Sequence, residues 1–217
     1  ISHYYNADRL MQLALGVFAI AVATASLPSM SEQAARGDTP ALLSTWRFAV
    51  RFTNFVTIPA AFGLMAISVP IVATLYVHGK FTWADAVSTA AATAAFAPSL
   101  LAVAAIRSTV QVFFALKDTK TPVKVATITM LVNLVCGFAL LRYEVTGLAA
   151  SFSLATIVQA VLLVVMLRRK LGRLGIKELV RTGLAQAVMA IVASSWAYGI
   201  ARFGDLNRVP SVANIAI

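Results

Sequence analysis

Six stretches of this chain run apolar for about twenty residues each, almost free of charge, and that feature decides most of what the chain can fold into. At about 1.5 Å of rise per residue, a helix of that length spans the roughly 30 Å hydrocarbon core of a bilayer. The stretches are Leu10–Pro28, Phe52–Val77, Ala84–Leu116, Val123–Leu141, Gly147–Leu167 and Gly183–Ala201. Lipid offers no partner to backbone N–H and C=O groups, so only helices and closed barrels cross it. Barrel strands alternate polar and apolar over about ten residues, and these continuous runs do not. The fold class that follows is an all-α integral membrane protein with six transmembrane helices. They are placed at about 5–29, 46–77, 84–116, 122–142, 147–169 and 181–202, with 203–217 read as an outer loop and the start of a further, truncated helix. Composition agrees: 60% of the residues are hydrophobic and 12% charged, against about 25% charged in soluble domains.

Local signals refine the picture. Gly37-Asp38-Thr39-Pro40 offers Thr39 as a helix cap with Pro40 at the first helical position, and Thr121-Pro122 repeats that signal. Pro59 and Pro70 lie inside the second stretch and predict a kink or break. The third stretch has 33 residues, about 50 Å of helix, so it tilts or protrudes. The chain begins at Ile1 with no basic leader region and stops in an apolar stretch after Pro210, so both ends are expected to be cut.

The net charge of +10 raises the question of nucleic acid, but the cations sit in short loops rather than in a basic stripe interleaved with aromatics. Twelve Lys and Arg fall within 36–51, 117–124 and 168–181, on one side of the predicted membrane. Lys80, Arg142, Arg202 and Arg208 are the four on the other. The positive-inside rule places the first group in the cytoplasm. The run from Arg168 to Arg181 mixes six cations with Leu171, Leu174, Ile176 and Leu179. It is open to two readings, an interfacial segment against anionic headgroups or an ordinary cytoplasmic linker.

No catalytic constellation, metal site or cofactor motif is present in the sequence. His3 and His78 are far apart, the eight acids are mostly single, and no Gly-rich phosphate loop occurs. The single cysteine, Cys136, lies in an apolar run and builds no disulfide framework. The informative residues are cations in apolar surroundings. Arg107 lies ten residues before Lys117, roughly 15 Å along a helix. A charge at that depth is costly unless it faces protein or water. Gln111 is one turn further on the same face, so the two residues either line a polar cavity or belong to a structural arginine paired with another helix. Arg9 opens the first apolar run beside Asp8, which points elsewhere on a helix and need not neutralise it. Arg9 either snorkels to the outer interface or faces a cavity, where its donor fork suits a phosphate or diphosphate. Asn133, Ser151, Ser153, Thr156 and Gln159 read as helix-packing polar residues.

Several of these residues form a recognisable series. Ala7-Asp8-Arg9-Leu10-Met11-Gln12, then Leu15-Gly16-Val17-Phe18 and Leu27-Pro28-Ser29, then Gly79-Lys80-Phe81-Thr82, then Lys117-Asp118-Thr119-Lys120-Thr121-Pro122 fall in order over more than half the chain. In this the chain resembles the MurJ (MviN) lipid II flippases of the multidrug/oligosaccharidyl-lipid/polysaccharide exporter superfamily. The resemblance implies a two-lobe, fourteen-helix transporter, of which this chain is most of the C-terminal lobe, helices eight to thirteen. It implies alternating access in the inner membrane, with lipid II (an undecaprenyl-diphosphate-linked disaccharide peptide) as substrate and no enzymatic step. The partners it implies are lipid II, membrane lipids and the missing N-terminal lobe, with no nucleic acid. It further implies that Arg9 is a cavity arginine holding the diphosphate, with Asp8, Arg107 and Gln111 as further substrate-binding candidates. Relatives often carry proline where Ala14 and Gln111 stand, and Gly137 replaces a polar residue one turn after Asn133, which speaks against a sodium site using that pair. Rival readings are an exporter of another polyprenyl-linked glycan of the O-antigen type, a membrane-embedded polyprenyl-phosphate transferase, and a non-transporting scaffold.

Overall fold

The computed structural model describes residues 2–16, 18–76 and 82–203. Among them are eight α-helices: α1 Ser2–Gly16, α2 Phe18–Ala35, α3 Thr39–Ala66, α4 Ser68–Tyr76, α5 Trp83–Ala115, α6 Lys120–Ala139, α7 Glu144–Leu171 and α8 Ile176–Phe203. A 3₁₀ turn, Leu141–Tyr143, joins α6 to α7. Five helices (α3, α5, α6, α7 and α8) are each long and apolar enough to cross a membrane. The first predicted span is made by α1 and α2 together. The 203–217 reading lies, from 204 on, outside the described residues.

Two breaks differ from expectation in a physically informative way. Pro59 sits inside a continuous α3, whereas the second stretch breaks at Ile67, whose φ of −123° and ψ of 31° leave the helix. Pro70 then falls in the first turn of α4, where its missing N–H costs nothing. The caps also shift by a residue or more. Asp38, not Thr39, caps α3 by accepting from the backbone N–H of Ala41 at 3.0 Å. At α6, Thr121 is inside the helix, and the Asp118 carboxylate accepts from its N–H at 3.1 Å and its hydroxyl at 2.8 Å. A capping box starts α5: Thr82 Oγ1 accepts from Asp85 N while the Asp85 carboxylate accepts from Thr82 N at 2.8 Å.

Helix α5 is the central post. More than half of its most apolar window is buried, against 6% for α8, because small residues such as Ala86, Ala90, Ala92, Ala97 and Ala104 let α1, α3, α4 and α7 approach closely. One apolar cluster, around Met30, Trp46, Phe113, Leu163 and Leu167, fills the end that carries the cationic loops. A second, around Ala7, Met11, Phe96, Leu100 and Ala149, fills the opposite half. Several buried hydroxyls are satisfied within their own helices, as Thr53 donates to Ala49 O and Thr57 to Thr53 O. Others tie helices together: Ser153 Oγ donates to Ala95 O at 2.6 Å, Ser151 Oγ to Asn133 Oδ1 at 3.3 Å, and the Trp46 indole to Thr109 Oγ1 at 3.4 Å.

The basic stretch 168–181 is resolved by burial. Leu174 and Leu179 are buried and Leu171 and Ile176 pack against the same cluster, so its apolar residues face protein, as in the linker reading. Gly172 and Gly175, at φ of 80° and 70°, make the turn between α7 and α8. Glu178 pairs with Arg51 of α3 at 2.8 Å, and Lys170 with Asp118 at 2.7 Å.

Helix α7 approaches the end of α6 closely at Gly147. A Cβ on Gly147 would stand 2.1 Å from the Leu140 carbonyl oxygen. Gly147→Ala is therefore expected to destabilise the protein by about 2 kcal/mol, seen as a lowered unfolding midpoint in detergent. Gly137→Ala, whose new Cβ would meet Ser151 Oγ at 3.8 Å, is expected to leave the midpoint nearly unchanged.

The cationic loops carry a pH-sensitive contact. The Lys170 ammonium, helped by the Thr121 hydroxyl and N–H, holds the Asp118 carboxyl at about 2, below its ordinary 3.8. A carboxyl depressed in the folded state stabilises it above the ordinary value and loses that contribution as pH falls from about 4 through about 2. Both partners reach solvent, so the contribution is on the order of 1 kcal/mol or less. Asp118→Asn is expected to lower the midpoint slightly at pH 7 and to flatten its fall below pH 4, measured by thermal unfolding across pH.

Candidate anion-binding face

The outer half of α1 is two-sided. Ala7 and Met11 are buried against α5, and Tyr4 meets the Phe96 ring edge-on at 5.0 Å between centroids. Tyr5, Asp8, Arg9 and Gln12 share the other side at i, i+3, i+4 and i+7 spacing. On that side Arg9 is exposed. Its guanidinium lies 4.6 Å from the centre of the Tyr5 ring and donates to the Tyr5 hydroxyl. Asp8 is engaged elsewhere, accepting from Gln12 Nε2 at 2.6 Å. No described carboxylate pairs with Arg9, so its charge is oriented by the ring but not neutralised. Tyr5 and Gln12 are the members of this face that a reading of single residues misses. Their signal was the four-residue spacing to Arg9 and Asp8.

Arg107 also is exposed and makes no hydrogen bond or ion pair with a described residue. Gln111, one turn on, is half-buried, with its Oε1 buried and unpartnered. The neighbouring Ser108 Oγ is likewise buried without a partner.

The structure does not bring the two arginines together. α1 and α5 run in the same direction, and Ser99 Oγ donates to Met11 Sδ at 3.0 Å, which sets their register. Arg9 lies two residues before Met11 and Arg107 eight after Ser99, so about 15 Å separates them along the helix axes. Among the described residues no group of three His, Cys, Asp or Glu is close enough to hold a metal ion.

A family model described as "Lipid II flippase MurJ" matches residues 1–211. The chain is 32% identical over 185 residues to a probable lipid II flippase MurJ of Bdellovibrio bacteriovorus, covering 85% of this chain and 35% of that protein. A Vibrio cholerae protein of the same name is 33% identical over 165 residues, covering 75% and 31%. A solved structure of lipid II flippase MurJ in an inward closed conformation superposes with a TM-score of 0.72 at 25% identity, over 95% of this chain and 48% of that one. The chain spans about a third of the length of the curated relatives it matches. With five helices fit to cross a bilayer, it is a multi-pass protein of the bacterial cytoplasmic membrane. It belongs to the MurJ family of lipid II flippases.

Proposed function

We propose that this chain forms most of the C-terminal lobe of a lipid II flippase and supplies one wall of a cavity between two lobes. The cationic loops lie in the cytoplasm, in accord with the positive-inside rule. The cavity carries the undecaprenyl-diphosphate-linked precursor from the inner to the outer leaflet by alternating access, without a covalent step. One observation carries the reading. Arg9 sits on a helix face turned away from the packed core, exposed, pre-oriented by Tyr5 and with no carboxylate partner among the described residues. An unneutralised charge in an apolar span is costly unless an anion or water meets it, and a planar guanidinium suits diphosphate oxygens. Asp8 acts beside it by holding Gln12 rather than by quenching Arg9.

The test uses the full-length protein in cells depleted of their own flippase, with lipid II reaching the outer face as the readout. Export restored by wild type supports the reading, and failure of well-expressed wild type would redirect it to other polyprenyl-linked glycans. The 217 residues alone hold only one wall and are expected to export nothing above background.

A further inference from the structure

We infer that Asp8 and Gln12 form a sugar-reading pair beside Arg9, so that α1 takes the first sugar of the precursor as well as its diphosphate. The inference rests on the flippase reading and names the part of the substrate that this pair contacts.

The open face of α1 carries two columns of side chains. Tyr5 and Arg9 make one, at i and i+4, and Asp8 and Gln12 make the other, turned about 60° around the helix from it. Each column is tied within itself. The Arg9 guanidinium rests on the Tyr5 ring and donates to its hydroxyl, and Gln12 Nε2 donates to Asp8 Oδ2 at 2.6 Å. Among the described residues no hydrogen bond or ion pair joins one column to the other. Gln12 is exposed and Asp8 half-buried, so both reach the space that Arg9 faces, unlike the sealed oxygen of Gln111.

The chemistry of the two columns differs. Arg9 only donates, and its donors suit phosphate oxygens. A carboxylate only accepts, and it repels a phosphate. Asp8, one position from the diphosphate contact, therefore serves a part of the substrate that brings donors. Among the described residues Asp8 Oδ1 and Gln12 Oε1 take no hydrogen bond, and Gln12 Nε2 has a second hydrogen to give. The pair thus presents two acceptors and a donor, held in place by their mutual bond. Neutral hydroxyl-bearing groups fit that set, since each hydroxyl both donates and accepts. A sugar is such a group, and the disaccharide of the precursor is bonded directly to the diphosphate. Residues three and four apart on a helix stand about 5–6 Å apart at Cβ, so a sugar next to a phosphate on Arg9 lies against Gln12 and Asp8.

The experiment uses full-length protein in detergent and two probes: farnesyl diphosphate esterified either to the anomeric carbon of N-acetylglucosamine or to cyclohexanol. The probes match in charge and ring size and differ in hydrogen-bonding groups. Wild type is expected to bind the sugar probe at least about tenfold more tightly than the cyclohexyl one. Gln12→Ala and Asp8→Ala are each expected to bring that preference within twofold. Both should bind the cyclohexyl probe as wild type does or more tightly, which also shows that they are folded. Arg9→Gln is expected to weaken both probes alike. Equal binding of the two probes by wild type, or pair variants that keep the preference or lose both probes together, would overturn the sugar contact and leave the flippase reading in place. Wild type that binds neither probe would overturn that reading itself, and the role of the pair with it.

Discussion

Arg9→Ala in the full-length protein is expected to reduce lipid II export by at least about thirtyfold while leaving the amount of protein in the membrane unchanged. The size follows from what is removed. Charge-assisted hydrogen bonds to a desolvated phosphate are the strong class, and losing one partner of such a contact costs about 2–5 kcal/mol. Stability is spared because Arg9 is exposed and its only described contacts are with Tyr5, four residues away on the same helix. Two companions separate charge from placement. Arg9→Lys keeps a cation but loses the planar fork and is expected to retain a minor fraction of export. Tyr5→Phe keeps the ring under the guanidinium and is expected to cost no more than a few-fold. Rescue of export by well-expressed Arg9→Ala would retire the residue as a substrate contact.

Phe96→Ala carries the largest expected effect on stability. Phe96 is buried to 1% exposure and meets Tyr4 and Phe152 edge-on, with centroids 5.0 and 5.6 Å away, so a single ring joins α1, α5 and α7. In a bilayer the separated helices remain in hydrocarbon, so transfer from water adds little. What is lost is dispersion contact around the cavity and two aromatic pairs of about 0.5–1.5 kcal/mol each. The expected cost is about 3 kcal/mol, against near zero for Phe114→Ala, a ring on the same helix that is 44% exposed. Unfolding midpoints of the two variants in one detergent make the comparison, and equal midpoints would refute the role given to the ring.

The helices were legible because hydropathy over twenty residues reports the bilayer directly. The breaks were not. The break at Ile67 precedes its proline by a turn instead of falling on it. Capping read one residue late at Asp38, because an Asp and a Thr side by side are both competent caps and only the backbone chooses. In the candidate site, the polar face of α1 could be read from its four-residue spacing. The separation of Arg9 from Arg107 could not, since it depends on the register of two helices locked by Met11 and Ser99, residues 88 positions apart. Both readings of 168–181 fitted the pattern, the linker reading the better. Which way Leu174 turns is a tertiary fact.

The three tryptophans are distributed so that the protein carries its own optical probe. Trp46 is 2% exposed, with its indole N–H on Thr109, whereas Trp83 and Trp196 are 41% and 72% exposed. Brominated acyl chains quench on contact, so they should silence the two outer indoles and leave the emission of Trp46. That residual light then reports one joint alone, the seat of α3 on α5. A shift in its colour when a diphosphate is added would show the interior of the lobe repacking, and an unchanged spectrum would show the lobe moving as a solid piece.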